Sequence, residues 1–256
     1  MLIHPDKSRG QNFLTDKNVL QKIIDAGELK KFDVVLEIGA GTGVLTVELA
    51  KRVKKVISFE IDKKLIPVLQ ENLKDFNNVE IRNADAVPAG EMPAGCKLIA
   101  NIPYNITSAI LEKFLSAKQP PELIVLLVQK EVAERVCAKS GEMSILSVMA
   151  QYYGEPKIIA RVPPSAFYPV PKVDSAILKI IIKKRWPAVD EKKFFQIVKA
   201  GFSQRRKMLK NNLRALADEK KIVAAMREAG IIEKARAQEL GVSEWISLTG
   251  AFDTLL

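Results

Sequence analysis

Histidine is nearly absent from this 256-residue chain: the single one, His4, lies in a polar N-terminal stretch. A Ser-His-Asp triad, a Cys-His pair and the usual histidine-bearing catalytic zinc sites each need a histidine inside the fold. Any chemistry here therefore runs without a histidine base. Cysteine is scarce as well. Cys96 and Cys137 are 41 positions apart and form no CxxC pair, which argues against a disulfide framework and a zinc site and fits a reducing compartment. No metal is implied. Long apolar runs are missing too. The run from Leu123 to Val128 has six residues, which suits a buried strand and falls far short of the roughly 20 that a membrane span needs. Residues Met1 to Lys7 hold no apolar core of signal length, so a cytoplasmic protein with no membrane partner is expected.

What is present is ordinary for a globular protein: 48% hydrophobic and 27% charged residues, which excludes general disorder. The length fits one large domain, or a large one with a small one. The formal net charge is +10. Residues 184–256 contribute +6 of it, with 15 Lys/Arg against 9 Asp/Glu, and residues 1–183 contribute +4. A basic surface of this kind points to a polyanionic partner. No large exposed apolar surface is evident, so a monomer is expected.

The first two thirds alternate strands and helices. Val34–Ile38, Val56–Glu60, Val79–Ile81, Leu98–Ala100 and Leu123–Val128 are short runs, mostly apolar on both faces, as parallel strands covered by helices on both sides require. Between them, Leu45, Leu49 and Val53, then Leu65, Leu69 and Leu73, recur every four residues, and Ile110, Leu111, Phe114 and Leu115 form one stripe. These are core faces of helices. The pattern predicts an α/β fold with a doubly wound sheet. Ile158–Val162 and Ala176–Ile182 read as two further strands. The proline-rich connection between them is too short for a helical crossover, so they should run antiparallel. Beyond Lys183–Pro187 no strand is apparent, and Gly230 and Gly241 look like helix stops. This gives a Rossmann-like domain over 1–183 and a small helical domain over 184–256.

Glu37-Ile38-Gly39-Ala40-Gly41-Thr42-Gly43 follows a strand and opens a helix. Glycines let the backbone pass close under a ligand, and a helix N-terminus offers free N–H groups. Glu60, 17 residues beyond Gly43, ends the next strand, where an acid can accept both hydroxyls of a ribose. The cofactor should therefore carry adenosine. The G-x-G-x-G spacing differs from the G-x-G-x-x-G of dinucleotide enzymes, which favours S-adenosylmethionine over NAD and leaves both open. Asp85 ends the third strand on the same rim and can accept from an adenine amine.

Asn101-Ile102-Pro103-Tyr104 ends the fourth strand. An adenine amine is a poor nucleophile because its lone pair is delocalised into the ring. Acceptors for its N–H groups draw the nitrogen toward tetrahedral geometry and free that pair. The Asn101 side-chain oxygen and the Ile102 carbonyl can be those acceptors. Pro103 restricts Ile102 to an extended backbone, and Tyr104 can stack on an extruded base.

With these residues in view, the chain resembles the ribosomal RNA adenine dimethyltransferases, the KsgA family. Gly10–Leu14, Glu37–Gly43, Asn101–Ile106, Phe167–Ser175 and Phe202–Leu213 carry the resemblance. It implies a methyltransferase sheet with a terminal antiparallel hairpin, a helical C-terminal domain that binds RNA, and S-adenosyl-L-methionine as cofactor. It also implies transfer of four methyl groups to two neighbouring adenines near the 3′ end of small-subunit rRNA, with a role in small-subunit biogenesis. The partner would be the small ribosomal subunit. Matched to the family's motifs, Gln11, Asn12, Leu14, Gly39, Gly41, Glu60, Ile61, Asp85, Ala86 and Asn101 would hold the cofactor. Asn101, Ile102, Pro103 and Tyr104 would act on the base, with Phe167 as its second wall. Ala40 and Ile102 depart from the residues most frequent in the family. Arg205, Arg206, Lys207, Lys210 and Arg214 would contact RNA. At helical spacing Arg206, Lys210 and Arg214 share one face, which can track phosphates. Methylation of large-subunit rRNA and a binding factor without catalysis are the competing readings.

Overall fold

The computed structural model describes Pro5 and residues 10–86, 93–183, 186 and 189–255. His4, and Lys184, Arg185 and Pro187 of the expected domain boundary, lie outside them. The chain divides into two compact units: Met1–Glu134 with Gly154–Lys183, and Arg135–Tyr153 with Lys184–Leu256.

The first unit is built on a seven-stranded sheet. Its strands are β2 (Val34–Ile38), β3 (Lys55–Phe59), β4 (Val79–Arg82), β5 (Lys97–Asn101), β6 (Leu123–Gln129), β7 (Gly154–Val162) and β9 (Ser175–Ile182). Their order is β4-β3-β2-β5-β6-β9-β7. The first five are parallel, while β9 runs antiparallel to both β6 and β7. This is the expected α/β sheet, parallel with an antiparallel end. Strands β5 and β6 are the most apolar, with Leu98, Ile99, Ala100 and Ile124 to Val128 at 0% exposure, because helices cover both faces. Helices α1 (Lys17–Ala26), α2 (Val44–Ala50), α3 (Ile66–Asn72) and α4 (Thr107–Leu115) bury the predicted stripes. Asp16 caps α1, its carboxylate accepting from the N–H groups of Asn18 and Val19.

A second sheet, of two strands, pairs β1 (Phe13–Leu14) antiparallel with β8 (Phe167–Tyr168). Neither strand was expected. Two residues carry no periodicity, so pattern reading leaves them as loop.

The second unit gathers α6 (Ile145–Tyr153) with α7 (Glu191–Gly201), α8 (Leu209–Asn212), α9 (Glu219–Glu228) and α10 (Val242–Leu255). Between β6 and α6 runs α5 (Lys130–Val136). The boundary read from the sequence is thereby corrected, since residues 135–153 belong with the helices. Met143 and Val148 pack in one core with Phe194, Val198, Leu213 and Trp245. A single cut along the chain cannot represent an insertion of this kind. Gly230 follows α9 with φ +72°, as a helix stop should. Gly241 is different: it precedes α10, and its carbonyl accepts from Trp245 N.

Among the described residues no helix is long and apolar enough to cross a membrane.

Candidate functional site

The C-terminal ends of β2, β3, β4 and β5 converge on one cavity of about 320 Å³. It opens where the chain leaves β2 for β3 on one side and adjoins β5 on the other. That is the switch point at which open α/β sheets bind their ligands. The size lies within the range of small-molecule sites.

The glycine turn forms its floor. Gly39, Gly41 and Gly43 have φ of +75°, +58° and +87°, a region that L side chains avoid. The turn is tied to β3, since Gly39 N and Ala40 N both donate to Phe59 O. A Cβ on Gly41 would stand 3.3 Å from the Phe13 ring, and one on Gly39 would stand 3.6 Å from Asn101 O. Glycine keeps this passage open.

Glu60, 5% exposed, is oriented by backbone groups. Its Oε2 accepts from Gly41 N at 2.8 Å and its Oε1 from Asp62 N at 2.8 Å. Each oxygen keeps a lone pair for a hydroxyl donor. Beneath the turn, Glu37 is 1% exposed and accepts from Thr46 Oγ1 and Ser58 Oγ. Burial pushes its carboxyl up to about 7, against the pull of those two hydroxyls. Gln11 closes one side, its Nε2 donating to Asp62 Oδ2 at 3.0 Å. Asp85 and Ala86 line the cavity at the end of β4. Lys113 donates to the Ala86 carbonyl, and burial lowers its ammonium pKa while the nearby Asp85 charge raises it.

Asn101 ends β5. Its Nδ2 donates to Asn12 O at 3.3 Å, and no described group donates to its Oδ1. Asn12 is itself tied back to Gly10 O. After Pro103, a single 3₁₀ turn (Tyr104–Ile106) presents Tyr104. The phenol bonds Ser175 Oγ at 2.6 Å. Burial raises its pKa, with the Ser175 bond acting the other way.

The structure thus brings Gln11, Asn12, Gly39, Gly41, Glu60, Ile61, Asp85, Ala86, Asn101, Ile102, Pro103 and Tyr104 around one cavity. Two expected members are elsewhere. Leu14 and Phe167 are 7% and 2% exposed and pack in the core. They face each other across the β1·β8 ladder, and alternation along a strand sends the neighbours of a core residue the other way. Sequence reasoning missed Phe13, Phe59 and Leu65 among the lining residues. Phe13 and Phe59 adjoin Asn12 and Glu60, which was the available signal.

The basic stretch is also corrected. Gln204 to Lys207 is a turn, with Lys207 N donating to Gln204 O, and Met208 has an extended ψ of 146°. Arg206 therefore shares no helix face with Lys210. Buried Asn212 fixes the turn, donating from Nδ2 to Gly201 O and Gln204 O. Lys210 pairs with Glu233 at 3.3 Å and Arg214 with Glu219 at 2.6 Å. Arg205, Arg206 and Lys207 are exposed, and none of them pairs with a described acid.

A parallel sheet with this switch point, carrying an acid at the second strand and an asparagine at the fourth, is the construction of S-adenosylmethionine-dependent methyltransferases. The residues fit that cofactor: an oriented carboxylate for ribose hydroxyls, apolar walls from Ile38, Phe59 and Leu65, and a floor that glycine keeps clear. A sequence profile described as "Ribosomal RNA adenine dimethylase" matches residues 5–253. The chain is 43% identical to "Ribosomal RNA small subunit methyltransferase A" of Dehalococcoides mccartyi over 94% of its length and 86% of the relative's. It is 42% identical to the protein of that name from Caldanaerobacter subterraneus, over 98% of both. Among solved structures, a dimethyladenosine transferase from Plasmodium falciparum superposes with a TM-score of 0.84 at 29% identity, covering 94% of this chain and 98% of that one. The 23S rRNA methyltransferase ErmE does so at 0.77 and 31%, covering 94% and 100%. The chain belongs to the ribosomal RNA adenine dimethylase family and is an S-adenosylmethionine-dependent rRNA adenine dimethyltransferase.

Proposed function

We propose that this enzyme dimethylates two adjacent adenosines near the 3′ end of small-subunit rRNA, and that Asn101, Ile102 and Tyr104 receive the base. The observation that carries the reading is the Asn101 amide. Its Nδ2 is committed to the Asn12 carbonyl, so Oδ1 is the atom left to accept from an exocyclic amine. When bound, S-adenosylmethionine supplies a methyl group already activated by its sulfonium.

The chain's own residues then have three tasks. Glu60, Gly41 and Asp85 hold the cofactor by its ribose and adenine. Asn101 Oδ1 and the Ile102 carbonyl take the two N–H bonds of the amine and localise its lone pair. Tyr104, braced by Ser175, stacks on the base and fixes the line of attack, and such positioning supplies much of the rate. The proton leaves to solvent once the nitrogen has become cationic, so no histidine is needed. After one methyl is on, a single N–H remains to be held.

The exposed turn of Arg205, Arg206 and Lys207 is read as the phosphate contact of the helical unit. The reading takes the protein to act as a monomer, and sedimentation velocity checks it. The cytoplasm, where ribosomal subunits are found and where two cysteines that form no disulfide belong, is the place of action.

The test is methyl transfer from labelled S-adenosylmethionine to small subunits and to large-subunit rRNA, both lacking the modification, with wild type beside Asn101→Ala. Dimethyladenosine in the small subunit, lost in the variant, is expected. Label in large-subunit rRNA instead overturns the substrate, and an active variant overturns the role of Asn101.

A further inference from the structure

The β1·β8 ladder places Phe13 opposite Tyr168 and Leu14 opposite Phe167. Directly opposed residues of an antiparallel pair share a face, and successive residues take opposite faces. Leu14 and Phe167 occupy the core face. Phe13 and Tyr168 therefore share the other face, and Phe13 lines the cofactor cavity. Tyr168 itself stands outside the cavity and is 63% exposed. No described side chain hydrogen-bonds to it or stacks on it.

The segment that follows is anchored to the site at both ends. Tyr168 is fixed by the strand pairing with Phe13, and Ser175 is fixed by its bond to Tyr104. Of the eight exposed large hydrophobics among the described residues, Tyr168, Val170 and Val173 fall in this segment, and Lys172 beside them is exposed. Beside the cavity-lining Phe13 the chain thus carries a flat exposed aromatic ring, followed along the segment by two exposed aliphatic side chains and a cation, of which Lys172 and Val173 line a separate cleft with Lys130 and Pro164. That is the composition of a surface that stacks bases and tracks a phosphate backbone.

We propose that Tyr168 is a positioning residue whose ring stacks on the base adjoining the adenosine held in the cleft. The proposal rests on the rRNA reading above. Tyr104 serves the base inside the cavity, and Tyr168, outside it, serves the next one along the strand. With two adjacent targets, the adenosine awaiting its turn rests on Tyr168 while its neighbour is methylated.

The test is steady-state methyl transfer to unmodified small subunits with wild type, Tyr168→Ala and Tyr168→Phe, together with calorimetric binding of S-adenosylmethionine to each free protein. Base stacking of this kind is worth roughly 5- to 150-fold in affinity. Tyr168→Ala is expected to raise KM for the subunit about tenfold and to leave the Kd for S-adenosylmethionine unchanged. Tyr168→Phe, which keeps the ring, is expected to match wild type. An alanine variant with wild-type KM overturns the proposal. So does an equal loss in the phenylalanine variant, or a parallel loss of cofactor affinity, which would show Tyr168 acting through Phe13. If wild type methylates large-subunit rRNA instead, the substrate reading fails, and the same three-protein comparison on that RNA decides the role of Tyr168. Transfer by wild type to neither RNA overturns both.

Discussion

The phenolic oxygen of Tyr104 lies 2.6 Å from Ser175 Oγ, joining the turn that follows β5 to the first residue of β9. Ser175 is completely buried, so it is a fixed point against which the ring is held. A neutral hydrogen bond of this sort contributes about 1 kcal/mol, enough to restrict a ring that has to meet a base at one angle. Ser175→Ala should lower kcat severalfold and leave cofactor binding intact. Tyr104→Ala should cost on the order of tenfold to a hundredfold, since the stack itself is lost. Single-turnover methyl transfer beside a cofactor titration separates the two effects.

Asn101→Ala should reduce the rate by roughly 10²–10³, the cost of removing one aligned polar group from a reacting centre. Asn101→Asp keeps an acceptor and loses the donor to Asn12 O. It places one carbonyl against another acceptor, and activity should fall by a comparable factor. Rates at saturating cofactor and RNA decide this.

Glu60 holds the glycine turn and is the acceptor proposed for the ribose. Glu60→Ala removes the acceptor of the Gly41 and Asp62 N–H groups. The Kd for S-adenosylmethionine should rise by about tenfold or more, as losing charged hydrogen bonds implies. Isothermal titration of the free protein measures it.

Glu37 predicts a pH dependence. Its carboxyl titrates near 7 when folded, against 4.5 as its ordinary value. The folded state therefore binds the proton more tightly than the unfolded state. Its contribution to stability is fully present below about pH 4.5 and is lost as pH rises through about 7. Glu37→Gln removes this slope, so the variant should gain stability relative to wild type across that window. Urea midpoints taken from pH 4.5 to 8 show the difference, and parallel curves would refute it.

Charge reversal of Arg205, Arg206 and Lys207 together should weaken RNA binding and flatten its dependence on log salt by about one unit per lost phosphate contact. Lys210→Glu should behave differently. Lys210 is already paired with Glu233, so reversal should chiefly cost stability, on the order of 1 kcal/mol. Filter binding across a salt series, with melting curves for each variant, tests both.

Local pattern was sufficient for most of the first unit. Strands such as Leu123–Gln129 are buried on both faces, and a run of apolar residues records that directly. The glycine turn, Glu60 and Asn101-Ile102-Pro103-Tyr104 were legible for a related reason: each sits at the end of a parallel strand, and those ends meet at one rim by topology alone. What pattern could not supply depends on contacts between distant parts of the chain. Phe13 and Tyr168 pair in a two-residue ladder across more than 150 positions, and only that pairing decides that Phe167 is buried in the core while Tyr168 is exposed on the face it shares with Phe13. Residues 135–153 lie between strands of one unit yet pack in the core of the other, which no linear cut reveals. Lys210 looks like a free cation until folding brings Glu233, 23 positions on, beside it. Strand and helix identity follow from periodicity within a few turns of chain. The facing of very short strands and the pairing of surface charges are settled by neighbours that only the tertiary structure brings together.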